Sequence, residues 1–304
     1  MPDQLTPITH CTHPLVEVFG FPINNFSKEA KRFRDNRLCP FNNKVPNCTK
    51  DKANDPLGTC SIFSDAGISI TCPTRFRENW VVVGTAAEFL FPRGSNWTSL
   101  TEVRLKDKYG QSAGNIDIVL VAYDELGRVT DFGALEIQAV YISGNIRNPF
   151  KHYIDDPKKN VQMDWTNQSN YPRPDFLSSS RKRLAPQLIF KGGILKAWGK
   201  KFAVALDSPF FETLPELEET TKEKAEIAWL IYDLKYDTEN KKYNLELTKT
   251  VYTKFESALD KITKSDAGNI EDFINILQTK LDEQLEHKPD APVIDAFRTG
   301  LGPK

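Results

Sequence analysis

GNIDIVLVAYDELGRVTDFGALEIQAVYISG, residues 114–144, is the stretch that decides the fold. It reads as two strands joined by a connection carrying Gly127. Apolar residues on both sides of the alternation (Ile116, Ile118, Val119, Leu120, Val121, then Ala134, Leu135, Ala139, Val140) imply a largely buried sheet. Three polar residues break into it: Asp117 early in the first strand, Glu136 and Gln138 in the second. Residues i and i+2 of a strand share a face, so Glu136 and Gln138 point one way and Ile137 the other. A buried carboxylate is costly unless it is paired or bound to a metal. Chemistry is therefore to be sought here first.

Working outward, residues 27–37 offer a short helix and 86–91 another, with 80–83 a strand or buried turn. Ser95 or Thr98 could cap a brief helix bearing Leu100, Val103 and Leu105. Glu102 would sit on it, either as an exposed helix glutamate or as a partner for Asp117. Downstream, 185–197 reads as a helix interrupted at Gly192-Gly193, and 201–206 as a third buried strand. Residues 226–237 and 242–253 alternate like a hairpin, with its turn at 238–241. Amphipathic helices follow at 255–263 and 270–286, the second striped by Ile270, Phe273, Ile274, Leu277, Leu281 and Leu285. The expected organisation is an N-terminal segment (1–38), a cysteine module (39–79), a central α/β (α+β) core (80–215), a C-terminal hairpin with helices (216–287) and a loose tail (288–304).

With 39% apolar residues, 19 Phe and a mean hydropathy of −0.46, the 304-residue chain can bury a real core and reads as soluble. It shows no leader and no apolar run near the ~20 residues a spanning helix needs, so a cytoplasmic location is expected. The net charge of −1 hides an asymmetry. Residues 140–205 hold 12 Lys/Arg against 4 Asp/Glu, an excess of +8, whereas 212–290 hold 11 against 19, an excess of −8. In the basic half, Arg147, Lys151, Arg173, Arg181, Lys182 and Arg183 alternate with Phe150, Tyr153, Trp165, Tyr171 and Phe176, a mixture suited to phosphates and base edges. Ser178–Ser180 before Arg181 resembles a helix N-terminus, where backbone N–H groups favour an anion.

Four of the five cysteines, Cys39, Cys48, Cys60 and Cys72, are spaced C-x8-C-x11-C-x11-C; Cys11 stands apart as a small core residue. In a reducing compartment such clustering suits either a four-thiolate metal site or buried unliganded thiols. Residues 39–79 are rich in Pro, Asn and Asp and poor in periodic apolar positions, so a metal would supply stability that burial does not.

Together, Glu102, Asp117, Glu136 and the backbone carbonyl before Gln138 are the oxygen donors that Mg²⁺ prefers. A water activated there could attack a phosphate, with Gln138 orienting it. Lysine would be the usual residue in that place; Gln keeps the hydrogen bonding and loses the charge.

These residues carry a resemblance. LCPFNNKVPNCTKDKANDPLGTC (38–60), SAGNIDIVLVAYDELGRVTDFGALEIQAVYISGN (112–145), YPRPDFLSSSRKRLAPQLIFKGGILKAWGKK (171–201) and FFETLPEL (210–217) resemble NotI-type type II restriction endonucleases, a branch of the PD-(D/E)xK nuclease superfamily. The resemblance implies a mixed central sheet flanked by helices, with Asp117, Glu136 and Gln138 as motif residues and Glu102 completing a Mg²⁺ site. It implies one structural metal on Cys39, Cys48, Cys60 and Cys72, iron by family association, with zinc as the alternative from coordination chemistry. It also implies a homodimer in a bacterial cytoplasm, cutting a palindromic, GC-rich duplex site, with a cognate DNA methyltransferase encoded nearby. Arg75 and Arg77, just past Cys72, join Arg147, Arg173, Arg181, Lys182 and Arg183 as expected DNA contacts. Two other readings share many of these residues: a non-catalytic, metal-stabilised DNA-binding protein, and a metal-dependent phosphohydrolase of small substrates.

Overall fold

The computed structural model describes residues 12–42, 45–52, 54–265 and 267–286. Cys11 and the expected tail at 288–304 lie outside them. Residues Met1–Thr263 make one compact unit and Lys264–Lys304 a second.

A six-stranded mixed sheet runs through the first unit in the order Lys242–Thr253, Ile227–Asp237, Phe202–Asp207, Val129–Ile137, Ser112–Tyr123, Trp97–Lys106. The all-apolar run FAVAL opens the Phe202–Asp207 strand, which is buried along its whole length and lies parallel to both neighbours. All other pairings in the sheet are antiparallel. A strand buried on both faces needs cover above and below. On one side Val81–Leu90 lays Val82, Val83, Ala86 and Leu90 on Ile118, Leu120, Leu135 and Ile137. On the other, Leu184, Leu188 and Leu195 of a helical run pack with Val119, Val121, Ala134 and Val204. Phe255 and Ala258 of the helix Phe255–Thr263 join that second layer.

The 114–144 hairpin forms as its pattern predicts. Asp124 closes the turn by accepting from Leu126 and Arg128 N–H, and Gly127 takes the positive φ of +75° that the turn requires. The 227–253 hairpin, the strand near 201–206, and the helices near 27–37, 255–263 and 270–286 are also where the sequence puts them. Ser27 caps the helix Lys28–Asp35 by accepting from Ala30 N–H.

Three local expectations are corrected. Residues 80–83 belong to a turn and the start of the helix Val81–Leu90, not to a strand; Asn79 and Trp80, both at positive φ, make the bend. The brief helix near 95–105 is instead the edge strand Trp97–Lys106, paired along its length with Ser112–Tyr123. Its β-branched Thr98, Thr101 and Val103 suit that pairing, and tertiary contacts outweigh a weak helical signal. Gly192-Gly193 does not interrupt its helix: helical turns continue from Phe176 to Ala197, with π turns at Ser180–Leu184 and Leu188–Gly192.

The cysteine stretch does not rely on its own apolar content. Thr59–Ser64 pairs with Leu15–Val18 and Gly67–Ile70 in a four-stranded sheet. Leu15, Val18, Phe19, Ile23, Phe150 and Tyr153, from before and after it, pack on Cys48, Leu57 and Ile62. Asp207 joins the two sheets, one carboxylate oxygen accepting from Ile70 N–H at 2.6 Å and the other from Phe210 N–H at 2.8 Å.

Candidate active site

Antiparallel register places the first pair of carboxylates. Ile118 pairs with Leu135, so Asp117 falls opposite Glu136 on the face that carries Val119, Val121 and Ala134. Asp117 Oδ2 accepts from Ile137 N–H at 2.9 Å, and its carboxyl lies within hydrogen-bonding reach of Glu136. Glu136 is fully buried. Burial, reinforced by the adjacent Asp117 charge, pushes its carboxyl up to about 8 against the opposing pull of Lys191. Two carboxylates this close stay anionic together only with a cation beside them; otherwise one of them takes up a proton.

Lys191 supplies such a cation. Its Nζ donates to both oxygens of Glu136, at 2.8 and 2.9 Å. One turn earlier Gln187 accepts from the Gln138 amide, and one turn earlier still Arg183 lies 5.4 Å over the Tyr141 ring. Arg183, Gln187 and Lys191 thus run down one side of the helix against Tyr141, Gln138 and Glu136. Gln138 is fully buried, and its Oε1 has no hydrogen-bond partner. An orphaned buried acceptor beside two carboxylates fits a hydrated divalent cation.

Sequence reading singles out Asp117, Glu136 and Gln138 and passes over Lys191 and Gln187, which the fold brings against Glu136 and Gln138. The available signal was a lone lysine inside QLIFKGGIL, four residues after Gln187 and eight after Arg183.

Glu102 is exposed on the edge strand, not on a helix. Thr101 pairs with Ile118 and Val103 with Ile116, so Glu102 extends the row Asp117–Glu136 across a third strand. Its φ of +57° is unusual for a non-glycine residue and breaks the pleat there. Among the described residues no group of three or more His, Cys, Asp or Glu forms a metal-holding cluster, so Glu102 is not gathered with the pair.

The same holds for the cysteines as placed. All four are free, and Cys60 donates to the Gly58 carbonyl. They are nonetheless neighbours: burial pushes the Cys39 thiol up to about 11, and Cys72 and Cys48 add to it. Burial likewise raises Cys60, with contributions from Cys72, Cys39 and Cys48. The Lys50 ammonium lies among them, donating to the Thr59 and Thr71 carbonyls and to Thr71 Oγ1.

The expected DNA contacts divide. Arg181, Lys182 and Arg173 are exposed, and Arg183 is half-buried against Tyr141. Arg173 lines an open groove of about 570 Å³ with Ser143, Tyr171 and Phe176. Arg77 is half-buried in a second groove beside Trp80 and Phe41. Arg147 is engaged by Asp51 and Asp55. Arg75 is 0% exposed and held by Glu17, Glu78 and the Tyr243 carbonyl, which makes it a core strut and removes it from the DNA-contacting set. The anion-ready helix start at Ser178–Ser180 is likewise corrected. The helical run begins at Phe176, and the Asp175 carboxylate already accepts from Ser178 N–H.

A carboxylate pair set in a covered sheet, beside a helix that exposes Arg181 and Lys182, suits a hydrolase for polyanions. Residues 18–245 match the family model described as Restriction endonuclease NotI, and the chain belongs to that family. It is accordingly a site-specific deoxyribonuclease, a type II restriction endonuclease acting on double-stranded DNA. No curated protein matches it. Among the described residues no helix is long and apolar enough to cross a membrane.

Proposed function

We propose that the chain cleaves duplex DNA as a Mg²⁺-dependent enzyme of PD-(D/E)xK type, with Asp117 and Glu136 as its metal-holding carboxylates. The observation that carries this reading is the pairing of those two carboxylates across adjacent strands, with the unpartnered Gln138 oxygen beside them. When bound, Mg²⁺ supplies electrostatic stabilisation to the charge building on the scissile phosphate. Asp117 is oriented by Ile137 N–H, and Gln138 orients the attacking water through its free oxygen. A bond forms from water oxygen to phosphorus as one phosphorus–sugar oxygen bond breaks. The water's proton leaves to solvent, and the departing alkoxide recovers one. Glu102 serves from the edge strand if DNA or metal draws it inward. Arg173, Arg181, Lys182 and Arg183 track phosphates and base edges.

The finer assignments follow the family resemblance. They are a homodimer whose two-fold axis matches a palindrome, a GC-rich site read by arginine at guanine O6/N7, a bacterial cytoplasmic location with a methyltransferase gene nearby, and one iron or zinc on the four cysteines. The closeness of the thiols, Cys39 and Cys60 each feeling the charges of their cysteine neighbours, supports the last of these.

The test is digestion of DNA of known sequence with Mg²⁺, followed by end mapping, on the parent, Asp117→Ala and Glu136→Ala. Both variants should lose cleavage while retaining specific duplex binding in Ca²⁺. A parent that binds its site and never cuts would transfer the case to a non-catalytic DNA-binding protein.

A further inference from the structure

Gln138 leaves this site without the strand lysine that its chemistry would use, and the fold brings an ammonium to the same carboxylate from elsewhere. We propose that Lys191, reaching down from the helix, is the catalytic ammonium of this enzyme, touching the attacking water and a non-bridging phosphate oxygen during cleavage. The inference rests on the reading of Asp117 and Glu136 given above.

Four features support it. Lys191 is only 6% exposed, and a lysine this buried is expensive unless paired, so its place against Glu136 is specific. It lies one helical turn past Gln187, the partner of Gln138, so the helix presents the ammonium next to the residue that lacks one. Its stem packs over Gly114 of the neighbouring strand, Cε lying at ordinary contact distance, 3.4 Å, from where a Cβ would stand. Finally, Lys191 stands inside the π turn Leu188–Gly192, and such turns recur at functional sites. Gly192 sets the height of that turn, since a Cβ there would meet the Phe255 ring at 2.6 Å.

A bland alternative is that the ammonium merely stands where a divalent cation will sit. Single-turnover cleavage of an oligonucleotide duplex carrying the mapped site, at saturating Mg²⁺, separates the two, alongside duplex binding in Ca²⁺ and calorimetric Ca²⁺ binding. Lys191→Gln should slow cleavage about 100-fold while duplex affinity stays within about threefold. Lys191→Arg should recover part of the rate. The double variant Gln138→Lys/Lys191→Gln, which returns the ammonium to the strand, should regain at least about tenfold over Lys191→Gln. Parental rate in Lys191→Gln, with tighter Ca²⁺ binding, would make the lysine a placeholder and overturn the proposal. If Lys191→Gln melts far below the parent, the double variant decides: restored folding with restored cleavage supports the proposal, and restored folding without cleavage refutes it. Should Asp117→Ala or Glu136→Ala cut normally, the underlying reading fails instead.

Discussion

His13 shows how one buried side chain shapes behaviour far from any chemistry. Its Nδ1 accepts from Leu15 N–H, its Nε2 has no partner, and burial pushes the imidazole down to about 4. Between about 6.5 and 4 the unfolded chain binds a proton that the folded chain refuses. The stability contribution is therefore full above 6.5 and falls as pH drops through that window, by at most about 1.4 kcal/mol per unit. Urea midpoints at pH 7 and pH 4.5 should differ more in the parent than in His13→Asn, whose side-chain oxygen can still accept from Leu15. Equal differences would mean that the imidazole titrates freely. At the same scale, the buried-charge conflict at Asp117, Glu136 and Gln138 was legible in the letters, because three polar residues interrupt an apolar pattern. Lys191 was not, because the four-residue spacing that links it to Gln187 and Arg183 acquires meaning only once the helix lies on the sheet.

Among elements, the joint at Asp207 holds two sheets together. One side chain ends the central parallel strand, caps the turn Ser208–Phe211, and accepts from Ile70 of the N-terminal sheet. Both oxygens are used as acceptors, so an amide cannot replace the carboxylate: its NH₂ would face an N–H donor. Asp207→Asn should cost about 2 kcal/mol, read as a lower denaturation midpoint. A change within a few tenths would show that the two sheets hold together without it. Edge strand Trp97–Lys106 teaches the opposite lesson. Its residues carry a plausible helix start at Ser95 or Thr98, and only pairing with Ser112–Tyr123 selects the extended form. Glu102 consequently reaches the row of Asp117 and Glu136 by register, across three strands, not along a helix.

For the whole molecule, packing from outside their own stretch gathers the four cysteines. The sheet and apolar cluster around them supply burial that the local sequence lacks, so a metal is not needed to explain why the stretch folds. Protein purified without added metal should nonetheless contain one iron or zinc per chain by elemental analysis, and a chelator should lower its melting temperature. Cys48→Ser should lose solubility or folding and not selectively catalysis. Absence of metal would return the thiols to ordinary buried residues. The sequence by itself determined the alternating strands, the terminal hairpin, the amphipathic helices and the residue types of the 114–144 stretch, because periodicity and turn chemistry are local properties of the chain. Tertiary structure alone decided that Asp117 faces Glu136, that Lys191 descends onto Glu136 and Gln187 onto Gln138, and that Arg75 is buried while Arg181 and Lys182 are not. Those outcomes depend on strand register and on which helix covers which face, and both are settled by contacts between residues dozens of positions apart.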